Sequence, residues 1–357
     1  MRWMLGLAAL AAAGGASLMG GGSARAACQL QQVGELPVVQ AEGHMMLVSS
    51  INGQPVMLIA DTGASLSTMF GGAPQRLGLT VHDFDRMSVR MSGIGGTTVP
   101  KVATIKELRF GKFVMQNTQM LTGGRQLGSD AVVGVMGQEL FSRYDVEVDL
   151  AHGVIRLLNA KDCSDSQMPY WGSAYSQAPL EPTSATVQRF TTAMMLNGRR
   201  IEADIDTGSP ITTITSAAAR AAGARPDPDA PVIEMGGLGS HRVQSSVYIF
   251  DTVGVGDEVV KNTRLSVADL FHYNTQQQTG TRLGTDTSDE ARALIGLDFF
   301  RSHRVMISPS HHMIYFSYLG GTPFIVPRRR PVQATAPSPS ASPAAAQTPQ
   351  AAASPQH

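Results

Sequence analysis

Apolar residues in this chain come in short runs of strand length, broken by Gly, Asn, Pro and Ser. Runs rich in Val, Ile, Met and Thr between turn residues predict β-strands. Val38-Val39 and residues 44–51 are the first. Asn52-Gly53 is a hairpin turn signal and sends the chain back through residues 55–60, which end on Asp61. Residues 73–79 predict a short helix with Gly78 at its close. Residues 91–97 form a glycine-rich hairpin tip, and strands follow at 102–110 and 113–120. Residues 131–141 read as an apolar strand leading into a short helix, and 146–158 as a hairpin turning at His152-Gly153.

The second half repeats this order. A hairpin at Asn197-Gly198 leads to Asp206. Asp206 follows Asp61 by 145 residues, and Asn197 follows Asn52 by the same 145. Residues 216–222 repeat the short helix, Met235-Gly236-Gly237-Leu238-Gly239-Ser240 the glycine tip, and 293–300 the apolar strand and helix. At that point the offset has grown to 159, from Gly137 to Gly296, and the polar stretch 272–290 accounts for it as a surface loop. The domain plan is therefore a first lobe at 35–160, a linker at 161–182 without periodicity, and a second lobe at 183–320. Residues 328–357, rich in Pro, Ala and Ser after three arginines, cannot bury a core and read as a disordered tail.

Composition adds limits. At 357 residues with 43% hydrophobic content, two cores are affordable. The 28 basic and 28 acidic residues balance, which gives no reason to expect a nucleic-acid partner. Residues 1–27 read as a signal peptide: Arg2, an apolar run, then Ala24-Arg25-Ala26 as the cleavage signal. An uncleaved anchor and a lipid on Cys28 are the other readings, the latter weakened by Arg25 three residues before the cysteine. Each takes the chain out of the cytoplasm, and the expected location is periplasmic or secreted. Cleavage leaves no stable membrane span. Cys28 and Cys163 flank the first lobe. In an oxidising compartment they can pair and tie its ends, the alternative being two free thiols.

The chemistry sits in Asp61-Thr62-Gly63-Ala64 and Asp206-Thr207-Gly208-Ser209. An aspartate ending an apolar strand is costly to bury alone. Two carboxylates held together cannot both ionise, so they share a proton and offer an acid and a base at once. A single Asp-Thr-Gly is ordinary turn chemistry. Two, in matching surroundings at one offset, point to a duplicated half-site. The nine histidines form no ligand spacing, His311-His312 lies next to a strand-like run, where neighbours point to opposite faces, and no metal is expected.

With a glycine tip such as Gly93-Ile94-Gly95-Gly96 and then Val135-Met136-Gly137 or Leu294-Ile295-Gly296 ahead of a helix, the chain resembles the retropepsin-like aspartic protease family. It resembles a bacterial, single-chain form carrying both Asp-Thr-Gly lobes. The resemblance covers 35–160 and 183–320. It implies an all-β fold of two acid-protease β-barrel lobes related by a pseudo-twofold axis, with short helices. It implies Asp61 and Asp206 as the catalytic pair, Thr62 and Thr207 as a cross-brace, and Gly63, Ala64, Gly208 and Ser209 as the supporting loops. Gly93, Ile94, Gly95, Gly96, Gly237, Leu238 and Gly239 would cover the substrate as flap tips. The implied activity is an exported aspartic endopeptidase, a monomer acting on protein or peptide without a cofactor. The alternative is a catalytically silent peptide-binding protein of the same fold. Pro210 and the second tip depart from the family pattern. Ser209 has a hydroxyl that Ala64 lacks, and donated to Asp206 it would make that residue the ionised partner.

Overall fold

The computed structural model describes residues 27–83, 90–181, 189–270 and 292–326. The expected signal peptide up to residue 26, the stretch 272–290 and the tail 328–357 lie outside these residues.

The two halves close into six-stranded barrels with the same strand order. In the first, His44–Ile51 pairs with Gln54–Ala60, which lies parallel to Val132–Met136. Thr68–Met69 runs antiparallel to that strand and parallel to Phe113–Thr122, which pairs with Lys101–Phe110. Ser50 and Ile51 meet Arg109 and Leu108 and shut the ring. In the second, Thr191–Leu196, Arg199–Ile205, Arg292–Ile295, Thr213–Ile214, Glu258–Ala268 and Val243–Val255 follow the same path, and Met194 opposite Val255 closes it.

The hairpin signals act at two levels. Asn52 and Gly53 have φ of 50° and 81°, and Asn197 and Gly198 have 49° and 79°. Both pairs thus meet the two positive φ angles that a tight hairpin of this twist needs. The asparagine side chains then tie the turns to the closing strands. Asn52 Oδ1 accepts from the N–H groups of Lys106 and Glu107, and Asn197 Oδ1 from that of Thr252.

A six-stranded antiparallel sheet joins the lobes. Its order is Ser176–Pro179, Met313–Tyr318, His303–Ser308, Asp145–Asp149, Val154–Lys161 and Gln29–Ala41. Each lobe supplies three strands, and the pseudo-twofold passes between the central pair, where Val146 faces Ile307 and Val148 faces Val305. Alternation sorts the faces. Val146 and Val148 join the main core, while Asp145, Glu147 and Asp149 point to the other face and are still buried. Their charges are met there. Arg156 and Arg304 each bond Glu147 Oε1 at 2.8 Å, and the Tyr170 hydroxyl donates to Glu147 Oε2.

Two expectations change. The first strand runs over Gln29–Ala41 rather than starting at Val38, because its outer part gains a partner in Val154–Lys161. Residues 161–182 are more than a linker. Ser176–Pro179 is an edge strand of the joining sheet, so the second repeat begins before residue 183. Met168 and Trp171 pack under that sheet, with the Arg304 guanidinium 4.8 Å from the Trp171 ring centre. Aromatic and small polar residues without periodicity are what such a covering segment needs, since it packs as a lid and not as a regular element.

Cys28 and Cys163 form a disulfide across a separation of 135 residues. It fastens the outer end of the first strand to the covering segment. Closing so long a loop removes much freedom from the unfolded chain. Replacing both cysteines with serine is expected to cost about 2–4 kcal/mol, read as a lower denaturant midpoint with the fold retained.

Candidate active site

Asp61 and Asp206 stand at the ends of equivalent strands. Asp61 N–H donates to Met136 O at 3.0 Å, and Asp206 N–H to Ile295 O at 2.9 Å. Each loop then folds over its own carboxylate. Gly63 and Ala64 N–H donate to Asp61 Oδ1, both at 2.9 Å. Gly208 and Ser209 N–H donate to Asp206 Oδ1 at 2.9 and 3.1 Å. The two carboxyl groups are within hydrogen-bonding reach of one another.

Packing explains the glycines. A Cβ on Gly63 would lie 2.4 Å from Asp206 Cγ, and one on Gly208 2.3 Å from Asp61 Cγ. Each glycine therefore lies against the opposite carboxylate, and only a hydrogen fits. The threonines lock the loops reciprocally. Thr62 Oγ1 donates to Ile205 O at 2.7 Å and accepts from Thr207 N–H at 3.0 Å. Thr207 Oγ1 donates to Ala60 O at 2.7 Å and accepts from Thr62 N–H at 3.0 Å. Both side chains are buried, so water does not compete for these four bonds.

A second tier was missed in the sequence. Ser67 Oγ accepts from Gly137 N–H, and Ser67 N–H donates to Glu139 Oε1, both at 2.8 Å. In the other lobe Thr212 Oγ1 accepts from Gly296 N–H at 3.0 Å, and Thr212 N–H donates to Asp298 Oδ1 at 2.8 Å. The signal was present: a hydroxyl residue six positions after each aspartate, and a carboxylate two after each glycine. The glycines are again required by space, since a Cβ on Gly137 would meet Leu66 C at 2.7 Å and one on Gly296 Ile211 C at 2.3 Å. Pro210 leaves this frame intact. Leu297 N–H donates to Ser209 O, as Gln138 N–H does to Ala64 O.

The Ser209 expectation is corrected. Its hydroxyl donates to Ile211 O at 2.9 Å and turns away from Asp206, because the carboxylate is already served by two backbone N–H groups. The side chain therefore does not mark Asp206 as the ionised partner. Both aspartates are instead raised above the ordinary carboxylate range, first by burial, against the pull of the loop N–H groups. The negative charge of Asp61 raises Asp206 further. Two adjoining carboxylates in little water keep one proton between them.

The two glycine tips are unequal. Met91–Gly93 and Gly96–Thr98 form a two-stranded flap in the first lobe. In the second, Ile233–Met235 pairs with the long strand behind it, and Gly237, Leu238 and Gly239 reach across to the first flap. Gly239 N–H donates to Ile94 O and His241 N–H to Gly95 O, both at 3.0 Å, and Leu238 O accepts from Arg125 N–H at 3.2 Å. A Cβ on Gly239 would lie 2.0 Å from Gly95 C, so the backbones touch. Ile94 packs on a second-lobe cluster of Val243, Ala268, Leu270 and Leu294. The two expected tips thus come together, but as a hairpin and a docked loop.

Residues 48–140 and 192–299 match the family described as aspartyl protease. These two regions make up over half the chain, and the protein belongs to that family. Among solved structures, the aspartic proteinase from Irpex lacteus is similar at 14% identity with a TM-score of 0.44, over 82% of this chain and 97% of that one. No curated protein compared with the chain matches it.

Two outcomes follow from this geometry. Thr207→Val removes an acceptor and strands the buried Thr62 N–H, which is expected to cost about 1–3 kcal/mol in unfolding free energy, more than a surface Thr→Val control. Asp206→Asn tests the raised pair. A raised carboxyl supports folding fully below its unfolded pKa, near the ordinary 3.8, and that support is lost as pH rises to the folded value. The variant is therefore expected to be more stable than wild type at pH 7, with the gain closing as pH falls below 4, as followed by thermal melts across pH.

Proposed function

We propose that the protein is an exported aspartic endopeptidase, in which Asp61 and Asp206 activate water against a peptide bond. The observation that carries this reading is the pair of carboxyl groups, in mutual hydrogen-bonding reach, held by four reciprocal threonine bonds. The ionised partner takes a proton from water as its oxygen attacks the scissile carbonyl carbon, and the protonated partner donates to the carbonyl oxygen. The tetrahedral diol then collapses. The C–N bond breaks as the protonated partner gives its proton to the leaving nitrogen and the ionised partner takes one from a diol hydroxyl, whose oxygen becomes the new carbonyl, so the pair again holds one proton. Retained charge stays on the pair throughout, so the cost of burying it is met by the loop N–H groups.

Export rests on the charged head, apolar run and Ala-x-Ala signal at residues 1–27, and on the disulfide, which suits an oxidising compartment such as a periplasm or the exterior. Among the described residues no helix is long and apolar enough to cross a membrane. Both lobes lie in one chain, so a monomer holds a complete pair, and its partner is a peptide or protein substrate.

The closed contact between Ile94-Gly95 and Gly239–His241 favours a second reading, a protein that holds peptides without cutting them. A pooled-peptide digest from pH 3 to 8 separates the two. Wild type is expected to cleave, and Asp61→Asn and Asp206→Asn each to lose about a hundredfold or more. Cleavage that survives both substitutions would remove the pair from the chemistry. Peptide binding without cleavage by wild type would establish the second reading.

A further inference from the structure

The two aspartate loops have the same internal bonds but different backing. His44, at the start of a first-lobe strand, reaches the second lobe's loop. Its Nδ1 lies 3.0 Å from the Gly208 carbonyl oxygen. A carbonyl only accepts, so this nitrogen carries a hydrogen. Gly208 C=O and Ser209 N–H belong to one peptide unit, and that N–H donates to Asp206 Oδ1 at 3.1 Å. The bonds therefore run in series from imidazole to peptide to carboxylate, across the seam between the lobes.

The first lobe's loop is backed by a different group: the Gln138 side-chain amide donates to Thr62 O, and the N–H of that peptide unit, on Gly63, donates to Asp61 Oδ1 at 2.9 Å, so this support comes from within the lobe and carries no ionisable ring. The residue 145 positions after His44 is Arg189, which lies 3.6 Å from Asp204 Oδ2. Among the described residues no side chain bonds the Gly63 carbonyl as His44 bonds that of Gly208. Arg301 adds to the difference. Its Nη1 donates to Pro210 O at 3.2 Å and its Nη2 to Gly43 O at 3.0 Å, pinning the turn before His44 to the residue after Ser209.

We propose that His44 is a positioning residue: by donating to the Gly208 carbonyl it polarises the Gly208–Ser209 peptide, strengthens the Ser209 N–H on Asp206, and gives the pair's support an ionisable group that the first lobe's Gln138 does not supply. This rests on the aspartic-pair reading above. The charged groups facing His44 are Glu42 on its own turn and Arg301 on the second-lobe helix, with the aspartates beyond Gly208. Burial, first, and Arg301 hold the imidazole below its ordinary value, while the Gly208 bond and Glu42 oppose them. The ring is thus neutral at pH 7 and gains its charge in acid. There it stabilises a singly ionised pair, and so extends activity to lower pH.

The test compares His44→Asn, which keeps a donor near the Nδ1 position but cannot ionise, with His44→Leu, which keeps neither. His44→Leu is expected to lose roughly tenfold in kcat at unchanged KM, the factor one hydrogen bond of ordinary net strength commands. His44→Asn is expected to recover most of it. In both, the acid limb of the pH profile moves to higher pH and the alkaline limb stays, since the wild-type ring is already neutral there. Equal losses in the two variants, or an unmoved acid limb, overturn the proposal. A carbon-13 carboxyl titration, assigned with Asp61→Asn and Asp206→Asn, reads the same coupling without turnover. The first ionisation of the pair is expected to move up in His44→Asn. If it moves while wild type cuts no peptide, the endopeptidase reading fails and the His44 coupling stands; if it does not move, the coupling fails whatever the activity.

Discussion

Two carboxyl groups in contact, out of water, tolerate one negative charge and no more. Nearly every feature around the seam serves to hold that arrangement still. Repulsion and desolvation both push the aspartates apart or toward water, so the loops need bonds that neither can break. The four threonine bonds meet this need because each loop supplies a donor and an acceptor to the other. Gly63 and Gly208 allow the approach, and a single methyl on either would force the pair open. Behind them, Ser67 with Glu139 and Thr212 with Asp298 anchor the loops to the strands that follow. Local charge, close packing and long-range strand pairing thus converge on a few ångströms of geometry.

Much of this could be read from the residues. Recurrence of Asp-Thr-Gly at the Asn-Gly offset located both half-sites, since duplication preserves spacing wherever the core constrains it. Apolar runs located the barrel strands because each is buried on one face. Less legible were segments whose order comes from distant partners. Gln29 to Gly34 is polar enough to read as loop, and becomes strand only beside Val154–Lys161. Ser176–Pro179 is likewise ordered by Met313–Tyr318. The Ser209 hydroxyl was assigned to the nearest carboxylate, but the backbone had filled that role and Ile211 O was free to accept. His44 and Gly208 are 164 residues apart, and no spacing rule links them.

The duplicated halves are not equal partners. Their barrels and aspartate loops agree closely, whereas their glycine tips and backings diverge. The first lobe offers a true hairpin, the second a loop that docks on it. The second lobe's aspartate loop is buttressed from the first lobe by an imidazole, and the first lobe's from within by the Gln138 amide. A single chain permits such differences, because each half is free to change alone. An assembly of two identical chains repeats every residue and has to break symmetry by motion.

The joining sheet has a mechanical meaning. Asp145–Asp149 and His303–Ser308 are bonded edge to edge, so the lobes are floored by one continuous sheet rather than strung on a flexible strap. Bending there would tear backbone bonds and uncover the buried Glu147 with its two arginines. The few contacts between Ile94-Gly95 and Gly239–His241 lie outside this sheet, and they can part without breaking a bond of the floor.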